Sequence, residues 1–265
     1  MSVPPLVDIH CHFVPGVDDG ARDLDDAIAQ LTEYDRLGIR TVVTTPHLAA
    51  SAVHGRWRDD IEAAFADLSR EAARACPGVD LGLSFEFRLD DPDADLSDRS
   101  IGLGEGGRLL VEFPRLAMPA YPDRMLEIVV TAGWAPVLAH PERYSGVERA
   151  YGWVARWREM GALMCLNAGS LWGEHGGEAQ RVARRMLADS SVDLIASDNH
   201  ARPNRAATVR QAWDYLTEAG CEEQANLLTA ANPAAVLSGE RLTAVPPCEP
   251  RSGWMDRLRR ALTGG

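Results

Sequence analysis

Three observations predict an α/β fold of repeated βα units around a parallel sheet. Seven short β-rich runs recur along the 265 residues, longer amphipathic stretches separate them, and residues able to bind a metal ion gather where the runs end. The runs span 6–12, 39–45, 81–87, 109–113, 135–139, 163–167 and 192–197. Helix-like segments over 24–37, 58–75 and 148–160 stop at Gly38, before Pro77 and at Gly161, the residues expected to end helices.

The first run contains Asp8-Ile9-His10-Cys11-His12. Side chains at i and i+2 of a strand share a face, so His10 and His12 can address one metal ion. Neutral imidazole is the commonest protein ligand for transition metals. Further along, His47 follows the second run, Glu86 lies in the third, Glu112 in the fourth, His140 follows the fifth, Asn167 ends the sixth, and Asp198 and His200 follow the seventh. Those positions define the carboxyl edge of a barrel, where residues distant in sequence converge on an active site.

Composition bounds the function. A 46% hydrophobic content suits a soluble globular protein, and no apolar run approaches the roughly 18 residues of a membrane-spanning helix. The formal charge of -12 repels nucleic-acid phosphates. Five scattered cysteines without a C-x-x-C pair, and no secretory signal, predict reduced thiols and a cytoplasmic location.

The motifs D-I-H-C-H-x-x-P-G-V-D-D-G-A, T-P-H, S-F-E-F, L-V-E-F-P, H-P-E-R-Y, N-A-G-S-L-x-G and A-S-D-N-H together resemble the PHP (polymerase and histidinol phosphatase) superfamily. The P-G-V-D-D-G and H-P-E-R-Y blocks resemble one branch, the bacterial tyrosine-protein phosphatases of the CpsB/CapC type encoded with capsule and exopolysaccharide synthesis. The resemblance covers roughly 6–240. It implies a distorted (β/α)7 barrel, TIM-barrel-like and a single domain, with residues 1–243 as the phosphatase domain. It further implies three divalent ions, usually manganese. Carried over residue by residue, the first ion takes His10, His12, Glu86 and Asp198; the second shares Glu86 and adds Glu112 and His140; the third takes Asp18, His47 and His200. Phosphate-contacting arginines are implied at Arg143 and Arg205, with Arg202 competing for the second role.

The implied reaction is hydrolysis of phosphotyrosine by a metal-activated water or hydroxide, on a bacterial tyrosine kinase that regulates capsule or exopolysaccharide synthesis. Paired ions acidify water and hold phosphoryl oxygens as charge moves to the leaving group. Arginine forks add charge-assisted contacts that draw a phosphate dianion into an acidic protein. The donors mix imidazole and carboxylate without thiolate, favouring manganese or iron, although zinc fits the same ligands. A phenol has a pKa of about 10 and needs little protonation help, which a metal-bound water, His47 or His200 can give. The alternatives are a small-molecule phosphatase of the same superfamily, such as one acting on histidinol phosphate, and a non-catalytic metal-bound interaction protein.

Other features take plainer readings. Cys11 points away from the ligands, and no cysteine has the arginine of a C-x5-R phosphatase loop. Gly102 to Gly107 matches G-x-G-x-x-G but precedes a strand, contrary to dinucleotide binding. Asp90, Asp91, Asp93 and Asp95 read as a solvated loop, His54 and His175 as surface histidines, and Asp8 as a supporting group. The segment between His47 and Trp57 reads as a lid loop, and Trp57 or Tyr144 as a core residue or a ring-stacking partner. Residues 244–265 form a Pro-containing linker and a basic amphipathic segment with Trp254, Met255, Leu258 and Leu262 beside Arg257, Arg259 and Arg260. It is expected to dock on its own domain, the alternative being a partner or an anionic membrane surface.

Overall fold

The seven runs become nine parallel strands in this computed structural model, which describes residues 2–202 and 207–249. The strands are β1 (Leu6–Cys11), β2 (Ile39–Thr44), β3 (His47–Ala49), β4 (Asp80–Leu83), β5 (Glu86–Arg88), β6 (Arg108–Glu112), β7 (Ala135–Ala139), β8 (Leu163–Asn167) and β9 (Leu194–Ala196). The extra two arise because the second and third runs break together. Pro46 has no N–H for a ladder, so β2 stops at Thr44 and β3 resumes at His47, while Ser84 and Phe85 divide β4 from β5. Thr44 pairs with Leu83 before the break and His47 with Glu86 after it, so both strands bend at one level without slipping register. The bend seats His47 beside Glu86.

Two sheets result, ordered β1-β2-β4 and β3-β5-β6-β7-β8-β9. Their outer strands meet at a parallel bridge between Cys11 and Asn199, flanked by hydrogen bonds from Asp198 N to His10 O and from His12 N to Asn199 O, each 2.8 Å. The barrel thus closes at the level of the histidines.

The helices α1 (Leu24–Leu37), α2 (Arg56–Ala75), α3 (Pro122–Thr131), α4 (Gly152–Glu159), α5 (Gly177–Ala188), α6 (Val209–Glu218), α7 (Glu222–Asn226) and α8 (Asn232–Ser238) complete the units. Asp23 caps α1 by accepting from Asp26 N, and Gly38 ends it at φ 82, a left-handed geometry that glycine adopts without strain. α4 begins four residues later than the sequence suggests, because Gly146 to Tyr151 form a turn. The expected lid after His47 is largely regular: β3 and a short 3-10 turn over Ala50–Ala52 leave only 53–55 before α2.

Strand periodicity builds the site floor. Leu110, Cys165 and Ala196 belong to one buried apolar cluster with Val137, Ala139 and Val236. Two residues further along the same strand faces come Glu112 and Asn167, and Asp198 follows just past β9, so a polar layer sits on an apolar plug.

The expectation of five reduced thiols is corrected. Cys221 and Cys248 form a disulfide across 27 residues, while Cys11, Cys76 and Cys165 are free and buried. The physical reason is that the chain past α8 folds back: Cys248 N donates to Leu187 O at 2.9 Å, and Gln224 Nε2 to Pro247 O at 3.1 Å. The basic segment with Trp254, Met255, Leu258 and Leu262 lies outside the described residues. No helix among the described residues is long and apolar enough to cross a membrane.

Candidate metal centre and active site

At the carboxyl end of the strands the structure gathers imidazoles and carboxylates from β1, β3, β5, β6 and the loops after β7 and β9. Three groups of donor atoms each lie within 4.8 Å of one another: His10, His12 and Glu86; His47, Glu86 and Glu112; and His12, Asp19, His47 and His200. Glu86 belongs to two of them. Its Oε2 lies 3.3 Å from His10 Nε2, 3.5 Å from His12 Nε2 and 3.0 Å from His47 Nδ1. His140 reaches the other oxygen, Nε2 to Oε1 at 2.8 Å. Asp198 Oδ1 stands 3.6 and 3.4 Å from His10 and His12 Nε2.

These residues fit a set of divalent ions. Metal bonds of about 2.0–2.2 Å place neighbouring donors about 3.0 Å apart in octahedral and 3.4 Å in tetrahedral coordination. The observed donor separations match that spacing. Glu86 Oε2, His47 Nδ1 and His140 Nδ1 are buried and make no hydrogen bond among the described residues. Buried polar atoms seldom go without a partner, and an ion is the partner such donors suit.

Aspartates 18 and 19 divide their work. Asp18 Oδ2 lies 2.7 Å from His12 Nδ1 and accepts from His47 N at 3.2 Å, while Oδ1 accepts from Gly20 N at 2.8 Å. It therefore stands behind His12, on the ring nitrogen opposite the cluster. Asp19 faces inward, Oδ1 lying 3.2 Å from His200 Nε2 and 3.5 Å from His47 Nε2. Sequence reading named Asp18 and missed Asp19. Gly20 allows the close approach, since a Cβ there would come within 2.2 Å of His12 O.

Electrostatics follow from these contacts. Burial alone would raise Glu86, but the facing His10 and His47 outweigh it and hold the carboxyl well below its ordinary range. Asp198 is likewise held well below, against burial, by His12, His10 and His200. Burial opposes charge on His12, yet Asp18, Asp198 and Glu86 raise its pKa well above the ordinary value. Cys11, by contrast, is pushed well up, first by burial and then by Asp8, so its thiol is inert and its role is packing.

Arg143 lines the cavity and donates to Asp198 Oδ2, which also accepts from Asn167 Nδ2 at 2.9 Å. Asp8 accepts from Tyr34 Oη and Ser197 N, both at 3.1 Å, fixing β1 to α1 and β9 as a supporting group would. Tyr144 is buried and its hydroxyl is spent on Phe113 N and Ala139 O, so it fills the core and does not stack on a ligand. Trp57 is exposed and His54 lies at the surface, whereas His175 forms part of the cavity wall. The G-x-G-x-x-G glycines pack against α8: a Cβ on Gly104 would come within 2.1 Å of Leu237 O. Arg202 donates to Gly20 O at 3.0 Å, and Arg205 lies outside the described residues.

A parallel barrel bearing a histidine–carboxylate cluster at its carboxyl mouth defines a metal-dependent hydrolase scaffold. The lactonase Lmo2620 from Listeria monocytogenes shares the fold, with a TM-score of 0.56, 13% identity, and coverage of 89% of this chain and 95% of that one. A structure from the work on YwqE from Bacillus subtilis and CpsB from Streptococcus pneumoniae, described as unique metal-dependent tyrosine phosphatases, superposes with a TM-score of 0.77 at 25% identity. It covers 93% of this chain and all of that one. By sequence, the tyrosine-protein phosphatase YwqE of Bacillus subtilis is 28% identical over 91% of this chain and 95% of its own length. The tyrosine-protein phosphatase CpsB of Streptococcus pneumoniae is 26% identical over 88% and 98%. The family described as capsular polysaccharide synthesis, CpsB/CapC, matches residues 6–238, and the chain belongs to it.

Proposed function

We propose that this chain is a metal-dependent tyrosine-protein phosphatase, hydrolysing phosphotyrosine to tyrosine and phosphate. The observation that carries the reading is the position of Glu86, shared between two donor groups at the barrel mouth. The likeness to YwqE and CpsB, tyrosine phosphatases over nearly their full lengths, supports it.

Our assignment gives one ion His10, His12, Glu86 and Asp198, a second Glu86, Glu112 and His140, and a third His47, His200 and Asp19 in place of Asp18. Manganese suits this oxygen- and nitrogen-rich set, with iron or zinc compatible. Bound divalent ions supply charge neutralisation at the phosphoryl oxygens and acidify water. The protein's side chains do the rest. Arg143 turns its guanidinium from Asp198 toward a phosphoryl oxygen, Asn167 keeps Asp198 in place, and Asp18 fixes the His12 ring. Arg205 is retained as a second phosphate contact. His47 and His200 are both engaged as metal donors in this assignment, so the departing phenolate, whose conjugate acid has a pKa of about 10, takes its proton from water.

The substrate we assign is a phosphotyrosine-bearing bacterial kinase of capsule or exopolysaccharide synthesis, in keeping with the family. Residues 1–243 form the catalytic unit, and 244–265 an appended segment of which 250–265 lie outside the described residues. Turnover of a phosphotyrosine peptide and of histidinol phosphate, each with manganese, tests the assignment. Preference for the peptide is expected; preference for histidinol phosphate overturns it.

A further inference from the structure

The cavity above the cluster, about 530 Å³, holds more positive charge than phosphate binding uses. Arg143 is engaged with Asp198. Arg88 and Arg115 line the same cavity, and among the described residues neither guanidinium makes a hydrogen bond or an ion pair. In a chain of net charge -12, two uncommitted guanidiniums in one wall are not background.

Both are held in place by backbone. Arg88 is the last residue of β5, paired in register with Glu112 and with Ala49, and shares the strand face of Glu86. At about 3.3 Å of rise per residue, its Cα stands about 6–7 Å beyond Glu86 toward the mouth. Arg115 follows β6 with φ 62, and Leu116 beside it has φ 49. Two consecutive left-handed non-glycine residues persist only where surroundings enforce them, and such strain concentrates at ligand sites. The enforcing contacts are Ser145 N donating to Leu116 O at 3.0 Å and the bridge between Ala117 and Ser145. Arg115 is thereby tied to the loop that carries Arg143. Glu174 and His175 line the same cavity.

We infer that Arg88 and Arg115 are specificity-determining residues that bind a carboxylate side chain flanking the phosphotyrosine of the substrate. The phosphoryl group reaches the layer of Glu86 and Asp198, and the flanking residues of a bound peptide cross the layer above, where these guanidiniums lie. A guanidinium fork matches a carboxylate in two parallel hydrogen bonds. Glu174 also lines the cavity, and its carboxylate repels an acidic flank and leaves the arginines as its partners. The inference rests on the phosphatase reading above.

The test uses the full chain with manganese and three phosphotyrosine peptides, with Asp or Glu, neutral, or Lys residues beside the phosphotyrosine, together with p-nitrophenyl phosphate. The expected result is a preference of about tenfold or more in kcat/KM for the acidic over the neutral peptide, the size of a charge-assisted hydrogen bond. In the double variant Arg88→Ala/Arg115→Ala that ratio falls to about one through KM, and Arg88→Lys restores part of it. Thermal melting checks that each variant folds. An unchanged ratio in the folded double variant, or no acidic preference in the unaltered protein, overturns the inference. So does an equal loss on p-nitrophenyl phosphate, which would assign the arginines to the phosphoryl group. If the unaltered protein turns over none of the four compounds, the phosphatase reading itself has failed.

Discussion

Asp18 Oδ2 lies 2.7 Å from His12 Nδ1, behind the ring, so that the Nε2 of His12 is aimed at Glu86 and Asp198. Such carboxylate–histidine pairs fix a ligand's orientation and tautomer, and losing one costs about 10–100-fold in metal affinity or activity. Asp18→Asn is expected to lower kcat/KM by that factor with ions still bound. Asp19→Ala is expected to lower the bound metal per chain. Elemental analysis alongside turnover separates them; metal loss in Asp18→Asn alone would reverse the two roles.

His12→Ala and Glu112→Ala each remove a donor from the buried cluster. Turnover should fall by at least about 10²-fold, because charge neutralisation and nucleophile supply both depend on the ions. The apolar plug below does not include either side chain, so the far-ultraviolet circular dichroism should stay that of the unaltered protein. Full activity in either variant would remove that residue from the centre.

In protein stripped of metal, His12, His47 and His140 all have raised pKa values. Burial opposes each shift, and carboxylates override it: Asp18, Asp198 and Glu86 at His12, Glu86 at the other two. A raised histidine stabilises the folded state below its unfolded pKa of about 6.5, and that stabilisation is lost as pH rises through the folded value. Metal binding must displace these protons, so affinity should climb with pH and uptake should release protons. Calorimetry of manganese binding in buffers of different ionisation enthalpy reads the proton number directly. Heats independent of buffer would contradict the prediction.

The Cys221–Cys248 bridge closes a 27-residue separation that includes α7 and α8. Loop-closure entropy of that size corresponds to about 2–4 kcal/mol of stability. Cys221→Ser should lower the denaturation midpoint under oxidising conditions and make it insensitive to reductant. Equal midpoints for both proteins without reductant would show that the bridge does not stabilise the fold.

The periodic parts of the chain were legible before the structure: seven runs at the right places, the Gly38 and Gly161 stops, and a convergence of His10, His12, Glu86, Glu112, His140, Asp198 and His200. Hydrophobic alternation and breaker residues are local signals, and they suffice there. What stayed hidden depends on turns and distant packing. Asp18 and Asp19 are the same residue type side by side, and only the tight turn at Gly20 decides which faces His47 and His200. The break at Pro46 could be suspected from proline chemistry, but its match at Ser84-Phe85 is a property of two paired strands. The bridge from Cys221 to Cys248 joins sites with no motif between them, and His175 reaches the cavity only because its loop folds back over Gly169.

The central claim is that Glu86 and its neighbours hold divalent ions at the barrel mouth. Anomalous diffraction at the manganese edge, from crystals grown with excess manganese, measures it most directly. The account predicts strong peaks within about 2.0–2.4 Å of Glu86, His10, His12, Glu112 and His140 donor atoms. A cavity without anomalous density in such crystals, or manganese only at surface carboxylates, would contradict it.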